Sequence, residues 1–184
     1  MLHRNIKAII FDRDGTLIEH VHYLSDPKEV RILPGVKTGL ALLKTLGFKL
    51  FLHTNQSGVS RSLFSMEQVY ACNQRMQELL ELDPNLFERI CIAPEKPDDP
   101  IVYRKPSSRF AKEVMKDFSF RSSEICYVGD SPSDLQTAIS AGSKAIGVNT
   151  GLLDFRDQLK KLKLIKQFPI VDSFTEVVEY LISN

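Results

Sequence analysis

The stretch KAIIFDRDGT, residues 7–16, decides how the rest of the chain is read. From Ala8 to Phe11 every position is apolar. A strand buried on one face alternates apolar and polar residues, whereas one covered on both faces does not. The run is short and ends in acids, which is neither a signal peptide nor a membrane span. Directly after it come Asp12, Arg13, Asp14, Gly15 and Thr16, an abrupt change from core to chemistry.

Working outward, four more runs read as strands: FKLFLHTN (48–55), FERICIA (87–93), EICYVGD (124–130) and KAIGVN (144–149). Helix-period segments separate them. Pro34 opens one that carries Val36, Leu40 and Leu43 and stops at Gly47. Ser65 with Gln68 is a capping box ahead of Val69, Cys72, Met76 and Leu79. Ser107 or Ser108 caps a helix with Phe110, Val114 and Phe118. SPSDLQTAISAG is a helix closed by Gly142. FPIVDS is short and extended, and Ser173 with Glu176 caps the last helix. This β-α alternation predicts an α/β fold, a doubly wound parallel sheet with helices on both faces. Without a linker, repeat or low-complexity tract, residues 1–184 read as one domain. The basic run LKKLKLIK (159–166) reads as a solvated helix face.

The bulk numbers leave few classes open. A chain of 184 residues can bury a substantial core, and 43% apolar with 26% charged residues is ordinary for a water-soluble fold. A net charge of +1 recruits neither nucleic acid nor an anionic membrane. Cys72, Cys91 and Cys126 are an odd, scattered set, which argues against a disulfide framework and for a reducing compartment. A cytoplasmic enzyme or small-molecule-binding protein, monomeric by default, is expected.

In doubly wound sheets ligands bind beyond the carboxyl ends of the strands. The unusual residues gather there: Asp12 to Thr16 after the first strand, Thr54 to Gly58 after the second, Arg104-Lys105-Pro106 after the third, and Asp130 to Asp134 after the fourth. Taken singly, the acids are helix caps and Thr-Asn-Gln-Ser is a turn. Taken together, three acids, a hydroxyl and a lysine converge on one rim. Asp12 and Asp130 are hard oxygen ligands of the kind Mg²⁺ prefers. Asp12 keeps an oxygen free to attack phosphorus. Asp14 is placed to protonate a leaving group and then to activate water. Thr54 and Lys105 suit the charge of a phosphoryl group.

DRDGT, TN, RKP and GDSPSD, in this order, resemble the four motifs of the haloacid-dehalogenase (HAD) superfamily of phosphatases, and they span residues 12 to 134. The finer pattern (YLSDP through LPGV, TNQSGVSR and YRKP) is similar to its heptose-bisphosphate phosphatases and the related histidinol-phosphate phosphatases. The resemblance implies a Rossmann-like HAD fold without a large cap domain, and hydrolysis through an aspartyl phosphate. Asp12 would be the nucleophile and Asp14 the general acid/base. Mg²⁺ would sit on Asp12, the Asp14 carbonyl and Asp130. Asp134 would orient Lys105 or a metal-bound water. Substrate contacts would come from Arg13, His20, Tyr23, Asn55, Gln56, Ser57, Arg61 and Arg104.

The expected substrate is a phosphorylated sugar, most simply a heptose 1,7-bisphosphate losing its 7-phosphate, with histidinol phosphate or another small ester as the alternative. A retired phosphometabolite binder and a receiver-like module are the other classes. The filled catalytic positions argue against the first, and the second acid Asp14 against the other. The chain departs from the pattern in two places. Ile18 to His22 replace an Asn and an Asp, so His20 and His22 either take over sugar contacts or are plain loop histidines. Relatives also build a zinc site from a Cys-x-His pair and a Cys-x-Cys pair before RKP. Here those read Cys91-Ile92-Ala93 and Ile101-Val102-Tyr103. One ligand of four remains, so no zinc is expected, and Pro94, Pro97 and Pro100 are expected to stiffen the loop.

Overall fold

The computed structural model describes residues 5–161 and 168–183. Its strands are β1 (Ala8–Phe11), β2 (Lys49–Asn55), β3 (Phe87–Ala93), β4 (Ile125–Gly129), β5 (Lys144–Val148) and β6 (Ile170–Val171). All pairings are parallel, in the order β3-β2-β1-β4-β5-β6. The helices are α1 (Val36–Thr45), α2 (Met66–Leu80), α3 (Arg109–Asp117), α4 (Pro132–Ala141), α5 (Phe155–Lys161) and α6 (Phe174–Ile182). The fold is the expected doubly wound α/β sheet. It adds to the sequence reading α5 and an edge strand within FPIVDS. Residues 162–167 of the basic run lie outside the described residues. The part before them ends α5, with Leu159 buried and Lys160 and Lys161 exposed.

Side chains of successive strand residues point to opposite faces, so each central strand feeds two cores. Ile9 and Phe11 of β1, Leu50 and Leu52 of β2, and Cys126 and Val128 of β4 pack with α1, α2 and α6. Ala8 and Ile10, Phe51, and Ile125 and Tyr127 pack with α3, α4 and α5. All four residues of β1 have no exposed surface, which is why that strand is apolar without alternation. Local signals set the helix ends. Gly35, at φ +79°, starts α1, and the Ser65–Gln68 box closes in both directions at α2.

The direction of winding changes between β1 and β4. β1 leads outward to β2 and β3, and β4 leads the other way to β5 and β6. Adjacent connections therefore run to opposite sides and leave a crevice at the carboxyl ends of these two strands. Asp12 and Asp130 follow directly on those ends.

Candidate active site

Asp12 is fixed at its backbone, where its N–H donates to the Val128 carbonyl of β4 (2.9 Å). Its Oδ1 pairs with Lys105 Nζ at 2.8 Å, and Lys105 also reaches Asp134 Oδ1 at 2.5 Å. Lys105 is buried, as are Asp12, Asp130 and Asp134. Asp134 is committed twice, because its Oδ2 accepts from the Ser131 N–H (3.1 Å) and hydroxyl (2.7 Å) at the start of α4. Carboxylate oxygens of Asp12, Asp130 and Asp134 come within 4.8 Å of one another.

The charges do not balance. Burial pushes Asp130 up to about 9, with the Asp12 and Asp134 charges adding to it. Burial also pushes Asp12 up to about 6, although Lys105 opposes this. For Lys105, burial disfavours the charge, but Asp12 and Asp134 outweigh it and its pKa is raised. One ammonium among three buried carboxylates leaves an excess of negative charge that a hard divalent cation would relieve. Asp12 and Asp130 fit such an ion, since Asp134 is occupied by Lys105 and Ser131. The same turn holds the buried Thr16 hydroxyl, which has no hydrogen-bond partner.

Two glycines crowd the Asp130 carboxylate. A Cβ on Gly15 would stand 2.3 Å from its Oδ2, and one on Gly151 would stand 1.9 Å away. Gly15 also needs its positive φ of +79° for the turn, in which the N–H groups of Thr16, Leu17 and Ile18 close on the Arg13 carbonyl. Thr150 ties the two glycine segments together by donating to the Gly15 carbonyl (2.6 Å). Sequence reasoning missed this fifth rim segment. Asn149-Thr150-Gly151 directly follows β5, so the strand-end rule applied to the other strands would have found it.

Asp14 has different surroundings. Arg13 donates to both its oxygens (3.0 and 3.1 Å), Gln56 Nε2 to Oδ2 (2.9 Å) and Thr54 Oγ1 to Oδ2 (3.3 Å). Gln56 also donates to Thr54 Oγ1 at 2.8 Å. This corrects the expectation for Arg13. The residue has no exposed surface, and its guanidinium is spent on Asp14 and on Asn73 Oδ1 of α2 (2.8 Å). Its side chain is a clamp on Asp14, with no surface left for a substrate. Asn73 carries no signal in the sequence, because it sits inside the apolar stripe of α2.

Asn55 lines the cleft beside Asp14 and is also tied inward. Its carboxamide is turned to the backbone of Lys105, donating to the carbonyl (3.3 Å) and accepting from the N–H (2.9 Å). His53, buried in β2, adds a bond between Nε2 and the Tyr103 carbonyl (2.8 Å). Burial and the nearby Lys105 charge push the His53 pKa down to about 3. The imidazole is therefore neutral, and Nε2 donates to the carbonyl. Cys91, paired with His53 across β3 and β2, is buried, and burial pushes its thiol up to about 12.

Asp14 faces a cleft of about 260 Å³ whose walls include His20, His22, Tyr23, Ser57 and Phe64. Tyr23, at φ 54°, packs against His22 with ring centroids 4.2 Å apart and the rings tilted by 55°. Arg61 is exposed and Arg104 half-buried. Burial lowers the Arg104 pKa, Glu95 opposes this, and the Arg61 charge reinforces it, so the two arginines stand within electrostatic reach of each other.

Comparison with known proteins identifies the family. The HAD-hydrolase-like family matches residues 102–177. The D-glycero-beta-D-manno-heptose-1,7-bisphosphate 7-phosphatase of Haemophilus ducreyi is 32% identical over 186 residues, covering 95% of this chain and 98% of that protein. The histidine biosynthesis bifunctional protein of Legionella pneumophila is 28% identical over 74% of this chain but only 39% of its own length. The crystal structure of the D,D-heptose 1,7-bisphosphate phosphatase from B. bronchiseptica, complexed with magnesium and phosphate, superposes with a TM-score of 0.87 at 30% identity. It covers 97% of this chain and 99% of that one. The chain belongs to the haloacid-dehalogenase phosphatases and is a phosphoric monoester hydrolase.

Proposed function

We propose that the chain removes the 7-phosphate of D-glycero-D-manno-heptose 1,7-bisphosphate with Mg²⁺ as cofactor. The observation that carries this is the pairing of two unlike carboxylates at one rim. Asp12 is ion-paired to Lys105 at the β1–β4 crevice, and Asp14 is clamped by donors at the edge of the cleft. The names of the similar proteins support the substrate.

In this reading an Asp12 oxygen attacks phosphorus while the bond to the leaving sugar oxygen breaks, and Asp14 delivers its proton to that oxygen. Asp14 then takes a proton from water, which attacks the phosphorus of phospho-Asp12. Inorganic phosphate leaves and the Asp12 carboxylate is regenerated. Arg13 and Gln56 hold Asp14 in position for both proton transfers. Lys105 neutralises charge on the phosphoryl oxygens, and the Thr54 hydroxyl donates to them. Asp12, Asp130 and the Asp14 carbonyl would hold Mg²⁺, which would supply the positive charge that lets a phosphate dianion approach the acids. His20, Tyr23 and Ser57 are assigned to the sugar, and Arg61 with Arg104 to the second phosphate.

The loop from Cys91 to Pro106 is read as working without zinc, because one of four ligand positions keeps a cysteine. Near-stoichiometric zinc in elemental analysis overturns that reading. Among the described residues no helix is long and apolar enough to cross a membrane. The three cysteines are free and buried, which supports a cytoplasmic setting, and a monomer is the simplest state. Turnover of the heptose bisphosphate beside histidinol phosphate tests the substrate. Equal, poor kcat/KM on both removes it.

A further inference from the structure

We propose that Glu95 is a positioning residue for Arg104, setting where that guanidinium meets the non-reacting end of the substrate. The inference rests on the reading just given, in which Arg104 binds the second phosphate.

The segment from Pro94 to Lys105 leaves β3, makes an excursion and returns, and both arms meet at Glu95. Its Oε1 accepts from the N–H groups of Tyr103 (2.6 Å), Val102 (3.1 Å) and Arg104 (3.4 Å). Arg104 Nη1 donates back to the Glu95 carbonyl at 3.1 Å. Successive N–H groups aimed at one point form a cradle for an anion. Here the chain fills the cradle with its own carboxylate, seven to nine residues away. Prolines cannot do this, because a fixed φ stiffens each arm without joining the arms. At the tip, the Lys96 N–H donates to Asp99 Oδ2 (3.0 Å), which closes only the turn.

Lys105 is secured separately. Asn55 holds its backbone, His53 holds the Tyr103 carbonyl, and Asp12 and Asp134 hold its ammonium. The loop therefore has two anchors with divided labour. Glu95 serves Arg104, and the β2 residues serve Lys105. Loss of Glu95 should weaken recognition of a distant charge and leave phosphoryl chemistry alone.

Steady-state kinetics on p-nitrophenyl phosphate and on the heptose bisphosphate, with a double-mutant cycle, tests this. Glu95→Ala is expected to raise KM for the bisphosphate about tenfold, with kcat and both constants for p-nitrophenyl phosphate within about twofold of wild type. Glu95→Gln, which keeps an acceptor at the same place, should recover most of the loss. In an Arg104→Ala background, Glu95→Ala should add less than about twofold. The inference is overturned if Glu95→Ala lowers p-nitrophenyl phosphate turnover as much as bisphosphate turnover, or adds its full factor to Arg104→Ala. A crystal structure of Glu95→Ala decides the point independently of substrate. A displaced Arg104 beside an unmoved Lys105 supports it, and an Arg104 left in place overturns it. Failure of the wild type on the bisphosphate counts against the substrate assignment alone, since the crystallographic comparison still stands.

Discussion

Asp12 and Asp14 are neighbours but one in the chain and sit in opposite surroundings. Asp12 shares a buried pocket with two other carboxylates and one lysine, and burial raises its pKa. Asp14 lies at the edge of the cleft with Arg13, Thr54 and Gln56 all donating to it. One side chain type is thus given two tasks by its neighbours, an oxygen nucleophile beside a cation and a proton carrier held in place. The turn after β1, which carries Asp14 out of strand geometry, separates the two, not a difference in residue chemistry.

Replacing each carboxylate should break the comparison most sharply. Asp12→Asn removes the nucleophile and should lower kcat by roughly 10⁴-fold or more, by analogy with losses of nucleophiles elsewhere. Asp14→Asn should cost roughly 10²–10⁴-fold, the range of general acid/base catalysis. Acid quench after a single turnover should then trap phosphate on the protein in Asp14→Asn and none in Asp12→Asn. Equal labelling of both variants would remove the division of roles.

The clamp comes next. Arg13→Met leaves Asn73 and Asp14 without their shared donor in a fully buried place. Breaking a buried pair this way costs about 3–5 kcal/mol, and the Asp14 side is half-open, so the lower end is expected. Chemical denaturation measures it. A loss under about 1 kcal/mol would show that Arg13 holds nothing in place.

Metal should stabilise the Asp12 side only. Mg²⁺ should raise the melting temperature of the wild type, because binding the folded state shifts the unfolding equilibrium. Asp130→Asn should abolish that rise. Gly151→Ala, whose methyl would displace the Asp130 oxygen, should weaken Mg²⁺ about 10–100-fold, as loss of a ligand-orienting contact does. A Gly151→Ala protein with wild-type metal affinity would show that the segment after β5 is free to move aside.

Near neutral pH the smallest effect is expected at His53, behind Lys105. Its folded pKa, about 3, lies below the ordinary value near 6.5. The unfolded chain therefore binds the extra proton first. Stability from keeping the ring neutral is complete above about pH 6.5 and is lost as the pH falls toward 3, with a slope of up to about 1.4 kcal/mol per pH unit. His53→Asn should flatten that part of the stability curve. An unchanged acid limb would mean that other groups control it.

Much of this was legible beforehand because the signals are local. Unbroken apolar runs mark strands covered on both faces, and Ser65–Gln68 and Ser173–Glu176 mark helix starts by a spacing of three. The strand-end rule then gathers Asp12, Thr54, Lys105 and Asp130 without any coordinates. The misses share a cause. Arg13 looks like an exposed polar group at a rim, but its side chain is buried against Asn73, a partner distant in sequence, and Asn55, which lines the cleft, is also bound to the Lys105 backbone. FPIVDS reads only as extended, not as a sheet strand, because Ile170–Val171 is a two-residue edge strand, too short for a period.

By itself the sequence determined the layer order of the sheet and which residues reach its carboxyl rim, since periodicity and chain direction are properties of successive residues. Only the tertiary structure decided what each rim residue does. Donor and acceptor capacity is finite, and which partner takes it depends on segments 30 to 60 residues apart meeting within 3 Å. Glu95 shows the same at shorter range. One acid in a proline-rich loop becomes its anchor because three N–H groups return to meet it.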